Sequence, residues 1–319
     1  MMRAAVITAF GEPPKYGEFP VPHAGPGEVV VDLLATGLHP RTRSSAAGKH
    51  YSDKGGLPLV PGFDGVGRTP DGSRVYFDRI EAPNGSMAEK IAVPEEKLFA
   101  LPDGVADVQV AAIMNPAMSA WVALNLRAGL RPGESVLILG ATGCAGQMSV
   151  QVAKHIGASR VIGVGRSLPA LSTLGELGAD EIVRWDGDSA TQSRWIGAVA
   201  ADVDVVIDYL WGPVAMSVLA AIADARVDPA RPLRWLHVGD MAGPSAVLGG
   251  SALRRLNVAI SGSGQGAVSS SNLRLAQSEL LRTLPESGFR IGTQVAHLAD
   301  VEDVWMRDTP PGSRIVFVP

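Results

Sequence analysis

Residues 138–158 read ILGATGCAGQMSVQVAKHIGA, with three glycines in seven residues between an apolar segment and a helical pattern. The segment ahead of them is apolar from Val136 to Leu139, and Ala145, Met148, Val152 and Ile156 recur behind them at helical spacing. A strand, a glycine turn and a helix in that order suit a ligand carrying phosphate. Gly143 is expected to take backbone angles closed to other residues and to let the chain approach a diphosphate, and Gly146 to let the helix lie tightly on the strand. The N–H groups of Thr142, Gly143, Cys144, Ala145 and Gly146 then point at the anion, helped by the helix dipole. The same residues would also make a tight turn with no ligand at all. The setting is what favours the ligand, because this is the first β-α-β unit of a longer series.

That series runs outward from the seam. Strand 136–140 is followed by helix 144–157, strand 160–165, helix 169–178, strand 180–185 and helix 190–200. Strand 204–210, helix 213–225, strand 234–239 and strand 256–262 complete it. Six near-continuous apolar strands joined by crossover helices predict a doubly wound parallel sheet covered on both faces. Before residue 118 the texture differs. Arg3–Thr8, Glu28–Thr36, Ser73–Phe77 and Ala88–Val93 read as short strands separated by turns such as AGPGE and TPDGS, the pattern of a small irregular β domain. Residues 105–129 read as helix. After Ala267 come one more helix, over 272–284, and short strands ending at RIVFV, too little to stand alone and expected to return to the first domain. The domains are therefore placed at 1–119, 120–267 and 268–319.

Composition narrows the function. A chain of 319 residues with 46% hydrophobic content has room for two cores, and a net charge of −4 argues against nucleic acid or an anionic membrane as partner. One cysteine, Cys144, leaves no disulfide framework. The first residues, MMRAAVITAF, lack the apolar core of a signal peptide, and no uncharged apolar run of 18 residues occurs. A cytoplasmic protein is expected.

The second strand indicates which dinucleotide binds. An NAD site places an acid about 20 residues past the glycines to hold the ribose 2′-hydroxyl. Between His155 and Leu174 there is no Asp or Glu, and the strand instead ends in Gly165, Arg166 and Ser167. Gly165 leaves room, Arg166 offers a forked cation and Ser167 a hydroxyl. A charge-assisted bond to phosphate is worth about 1.5–3 kcal/mol, so NADPH is the expected cofactor unless Arg166 is only a solvated surface residue.

Segments in a fixed order carry a wider resemblance: GPGEVVVDLLATGLHP, PLVPGFDGVG, GSMAEKIAVPEEKLFALPDG, NPAMSAWVAL, LRPGESVLILGATGCAG, LGELGADEIV, DVVIDYLWG and LHVGDMAG. Over nearly its whole length the chain resembles the medium-chain dehydrogenases/reductases, and among them the zinc-free quinone oxidoreductase branch. The resemblance implies an α/β protein: a GroES-like β-rich catalytic domain built from both chain ends, a Rossmann domain with a six-stranded parallel sheet between them, and a cleft separating the two. It implies that Ser119, Val238 and Gly239 lie against the nicotinamide, with Gly262 and Ser263 flanking the same site and Tyr209 near the middle of the cofactor.

Zinc-dependent members similar to this chain carry Cys where His39 stands and a His-Glu pair where Gly62-Phe63-Asp64 stands. His39 and Asp64 are two ligands at most, and a catalytic zinc takes three protein ligands, so no metal is expected. Without a Lewis acid, the chemistry suits an acceptor that delocalises charge, a quinone or an α,β-unsaturated carbonyl, with a donor for its oxygen. Donor candidates lie in LHPRTRSSAAGKHY: His39, Arg41, Arg43, Ser44, His50 and Tyr51. Quinone oxidoreductases commonly show Asn and Tyr at the positions of His39 and Ser44, so Tyr51 is taken as the aromatic donor and His39 as the residue that orients a carbonyl. The expected activity is NADPH-dependent reduction of a quinone or related conjugated carbonyl. The alternatives are enoyl or enone reduction, zinc-free carbonyl reduction, and a cofactor-binding sensor or scaffold with little catalysis. Cys144 reads as a small residue that fits the loop, with a redox brake on cofactor entry as the other reading. Segment LNVAISG is expected at the sheet edge, available to pair with a second subunit in a homodimer.

Overall fold

The computed structural model describes residues 1–49, 56–78, 80, 83–185, 190–264 and 266–319. The chain divides into two units, residues 1–115 with 281–319, and residues 116–280. The first unit begins with β1 (Met2–Val6), β2 (Lys15–Phe19), β3 (Glu28–Gly37), α1 (Pro40–Ala46), β4 (Gly65–Arg68), β5 (Arg74–Phe77), β6 (Lys90–Pro94) and β7 (Leu98–Ala100). Helix α1, not among the elements expected from the sequence, begins at Pro40. Proline at the first helical position costs nothing, since that N–H has no partner within the helix, and its fixed φ suits the start.

Helix α2 (Asp107–Trp121) and the wider helical turns of Val122–Ala128 lead to β8 (Ser135–Leu139), all five of whose residues are buried. Then follow α3 (Cys144–Ile156), β9 (Arg160–Gly165), α4 (Leu168–Leu171), β10 (Glu181–Arg184), α5 (Ala190–Ala200), β11 (Val205–Asp208), α6 (Gly212–Ala225), β12 (Leu233–His237), α7 (Gly250–Arg255) and β13 (Val258–Gly262). The strands form one parallel sheet in the order β10-β9-β8-β11-β12-β13. Chain order reverses between β8 and β11, the switch point whose carboxyl ends bind ligands in such sheets. One core of this unit gathers Leu137, Ile162, Val206, Leu219, Ile222 and the fully buried Trp235.

The helix expected over 169–178 is only α4. Ser172 and Thr173 hydroxyls donate to the Pro169 and Ala170 carbonyls, Gly178 takes φ +106°, and turns replace the helix. After α8 (Ser270–Ser287), β14 (Gly292–His297), α9 (Val301–Val304) and β15 (Ser313–Val318) return to the first unit. Strand β15 pairs antiparallel with β3, Val316 opposite Gly37 and Phe317 opposite Thr36. This completes the sheet β14-β15-β3-β4-β5-β7, with β6 also paired to β3. Among the described residues, no helix is long and apolar enough to cross a membrane.

Candidate active site

At the carboxyl end of β8 the chain turns on Gly140, whose φ of +83° strains any residue with a side chain. The Gly140 and Ala141 N–H groups both donate to the Val164 carbonyl, at 3.0 and 2.8 Å, which ties the loop to β9. Gly143 corrects the sequence expectation. Its φ of −77° and ψ of 165° are ordinary extended values, so the special conformation belongs to Gly140. Gly143 is exposed, Thr142, Cys144 and Ala145 are half-buried, and Gly146 is buried. A Cβ on Gly146 would lie 2.2 Å from the Gly140 oxygen and 2.5 Å from the Ala141 Cα, which real atoms do not tolerate. No side chain caps the start of α3, so its first turn is left for an external anion. These features fit the diphosphate of a dinucleotide.

Strand β9 ends against the same loop. A Cβ on Gly165 would stand 2.5 Å from Thr142 Cγ2, so glycine is what lets the two segments close together. Arg166 is exposed and, among the described residues, has no hydrogen-bond or ion-pair partner. Other arginines of this unit are committed: Arg160 to Glu181, Arg231 to Asp204, Arg234 to Glu134 and Arg255 to Asp224. Ser167, half-buried, heads α4. An exposed guanidinium and a hydroxyl beside a phosphate loop fit a ribose 2′-phosphate better than a 2′-hydroxyl.

Tyr209 follows β11 and is buried, its hydroxyl bonded to the Ser149 hydroxyl at 2.8 Å and to Ser119. Burial pushes its pKa up against these bonds. Two expected cofactor residues thus meet beside Ser149, which was not among the candidates expected from the sequence. Val238 and Gly239, half-buried, follow β12, and Ser263 donates its N–H to the His237 carbonyl at 2.8 Å, which sets Gly262 and Ser263 beside that loop.

Asp208, the last residue of β11, is fully buried and was also missed. Its Oδ1 accepts the N–H groups of Leu210 and Trp211, both at 2.9 Å, and its Oδ2 accepts Trp235 Nε1–H at 3.0 Å. Burial raises its pKa, opposed by these bonds and by nearby His237. Trp211 has φ 53° and ψ −160°, a region populated essentially by glycine, and such strain costs about 1–3 kcal/mol. The Asp208 bonds to the Leu210 and Trp211 N–H groups, each costly to leave unmade in a buried turn, oppose that strain.

In the first unit, His39 precedes α1 and is 1% exposed. Its Nε2 lies 2.5 Å from Asp64 Oδ1, and the Arg314 guanidinium, carried by β15, meets its Nδ1. A guanidinium only donates, so Nδ1 accepts and the proton sits on Nε2, donated to Asp64. His39 is therefore neutral. Burial holds its pKa below the ordinary value, and Arg314 and Arg41 add to this against the pull of Asp64. Tyr76 Oη donates to Asp64 Oδ2 at 2.9 Å, and the Thr36 hydroxyl donates to the Asp64 carbonyl at 2.8 Å. Arg41, half-buried, stacks its guanidinium 3.7 Å from the centre of the Phe63 ring. Tyr51 and His50 lie outside the described residues.

Against known proteins, a family model described as zinc-binding dehydrogenase matches residues 144–225. Over the whole of both chains, the protein is 30% identical to a probable NADPH-dependent quinone reductase of Emericella nidulans. Over 178 residues, 50% of this chain and 45% of the other, it is 34% identical to a 2-methylene-furan-3-one reductase of Solanum lycopersicum. Among solved structures, the quinone oxidoreductase of Thermus thermophilus, determined alone and with NADPH, aligns over all of both chains with a TM-score of 0.81 and 25% identity. The family description raises the question of a metal. Among the described residues, no three His, Cys, Asp or Glu side chains gather closely enough to hold one. His39 has both ring nitrogens engaged, one of them by a cation, and Phe63 offers no donor atom. The described residues do not fit a catalytic zinc.

Proposed function

The chain belongs to the medium-chain dehydrogenase/reductase superfamily, in its quinone oxidoreductase-like branch, and on that premise we propose that it transfers hydride from NADPH to a quinone or a related conjugated carbonyl. The observation that carries this reading is the glycine seam with the exposed Arg166 beside it, which has no partner among the described residues. NADPH supplies the hydride when bound. Residues Thr142–Gly146 hold the diphosphate on the first turn of α3, and Arg166 and Ser167 hold the 2′-phosphate. Ser119, Tyr209, Val238, Gly239, Gly262 and Ser263 contact the nicotinamide and the middle of the cofactor.

In the first unit, Tyr51 donates the proton that the reduced acceptor takes up. His39 orients the acceptor indirectly: fixed as its neutral tautomer, it anchors the start of α1, which carries Arg41. The Arg41 cation, steadied on Phe63, stabilises negative charge developing on the acceptor oxygen. The tomato relative, named a methylene-furanone reductase, favours a conjugated alkene as the second acceptor class.

Steady-state oxidation of NADPH with a para-quinone and with a linear enone tests the reading. Turnover with either supports it. Cofactor binding without turnover on any such acceptor would leave a sensor or scaffold. Tyr51→Phe is expected to lower turnover at least about tenfold without weakening NADPH binding, and unchanged turnover removes Tyr51 from the site. The edge strand β13 presents exposed Ala259 and Gly262, and a second copy pairing along it makes a homodimer. Sedimentation of the wild type and of Ala259→Lys tests this, a dimer weakened by the lysine being the expected result. A chain with one cysteine and no disulfide fits the cytoplasm.

A further inference from the structure

Two loops at the carboxyl ends of β11 and β12 are laced together around one residue. The Asp208 carboxylate takes the N–H groups of Leu210 and Trp211, and its carbonyl takes those of Val238 at 2.8 Å and Gly239 at 3.2 Å. Behind it, Met241 N–H donates to the Tyr209 carbonyl and Ala242 N–H to the Leu210 carbonyl, at 3.2 and 2.7 Å. A Cβ on Gly239 would come within 3.1 Å of the Tyr209 oxygen, so the loops already touch through their backbones. At the centre of this lacing stands Trp211, in a backbone conformation that glycine alone takes without strain, its ring 4.5 Å from that of His237. Nothing in the local sequence favours that conformation for a tryptophan. What holds it is Asp208.

We infer that Asp208 is a positioning residue for the cofactor: it clamps Trp211 in a glycine-only conformation, and the clamped turn sets the Tyr209 and Val238–Gly239 segments on which NADPH rests. The inference builds on the proposed NADPH site. Asp208 touches no reacting atom and acts through the turn. The dependence on Asp208 exists because residue 211 carries a Cβ, and it vanishes where residue 211 is glycine.

The test compares Asp208→Asn in two backgrounds that both lack the indole, Trp211→Ala and Trp211→Gly. The asparagine removes the charge and turns an N–H₂ toward Trp235 Nε1–H, weakening the clamp. In the Trp211→Ala background, Asp208→Asn is expected to raise the Kd and KM for NADPH about tenfold, with kcat at saturating NADPH within about twofold. In the Trp211→Gly background the same change is expected to raise Kd less than about threefold. Equal effects in the two backgrounds overturn the inference. So does a loss of kcat with KM unchanged, the mark of a purely structural role that lowers the active fraction. Should Asp208→Asn fail to fold beside Trp211→Ala, recovery of folding beside Trp211→Gly supports the clamp, and failure in both overturns it. If the wild type itself binds no NADPH, the proposed function fails. The clamp is then judged by thermal unfolding, where Asp208→Asn must lower Tm more beside alanine than beside glycine.

Discussion

The two units build their polar sites in opposite ways. In the second, the site is backbone: Gly140 turns the chain, Gly146 lets α3 close on it, and an uncapped helix start faces outward. In the first, it is side chains: His39, Asp64, Tyr76 and Arg314 meet across 275 residues of sequence, nearly all of them withdrawn from water. A backbone site tolerates almost any side chain that points away and no Cβ that points in. A buried ionic site tolerates little at any of its members, because each one neutralises or satisfies another.

Removing one charge from the first site has the largest expected effect. Asp64→Asn removes the carboxylate charge that faces the buried Arg314 cation across the neutral His39 ring, and leaving a buried charge uncompensated costs about 3–5 kcal/mol, read as a fall in the denaturation midpoint. A loss below about 1 kcal/mol would mean that the network is dispensable. Next comes the backbone site. Gly146→Ala places a methyl where the Gly140 oxygen stands, and such overpacking costs about 1–3 kcal/mol, with NADPH affinity lost as the loop shifts. Normal binding by this variant would show that the loop is not the cradle.

The pH dependence separates the units more finely. His39 has its pKa lowered in the folded protein, so the folded state binds fewer protons than the unfolded one. Its contribution to stability is complete above the unfolded value of about 6.5 and is lost as pH falls below it, by about 1.4 kcal/mol per pH unit until the folded value is reached. Unfolding measured from about pH 7.5 to 5.5 is expected to weaken more steeply in the wild type than in His39→Asn, and parallel curves would contradict a neutral buried His39. The smallest effect is expected at Tyr209→Phe, which deletes the hydroxyl's bonds to Ser149 and Ser119 and costs about 1–2 kcal/mol in unfolding experiments.

The same contrast explains what was legible in the sequence. The parallel sheet, its strand count and the glycine seam could be read because periodicity and glycine spacing are local signals, as in Val136–Leu139 followed by Ala145, Met148 and Val152. Even there the reading misplaced one detail, since the left-handed turn falls on Gly140 and Gly143 is extended. The helix expected over 169–178 failed because serine and threonine hydroxyls compete for backbone carbonyls, a choice that composition does not reveal. His39 and Asp64 were visible as candidates, but the Arg314 that fixes the histidine tautomer arrives on β15 through strand pairing. Asp208 reads as an ordinary strand ending until the strain at Trp211 shows what its carboxylate restrains.

The most direct test is a fluorescence titration of the purified protein with NADPH and, separately, with NADH, repeated on Arg166→Ala. The exposed Arg166 guanidinium beside the phosphate loop predicts a preference for NADPH of about ten- to a hundredfold that collapses in the variant. Equal affinity for the two cofactors in the wild type, or a preference that survives the loss of Arg166, would contradict it.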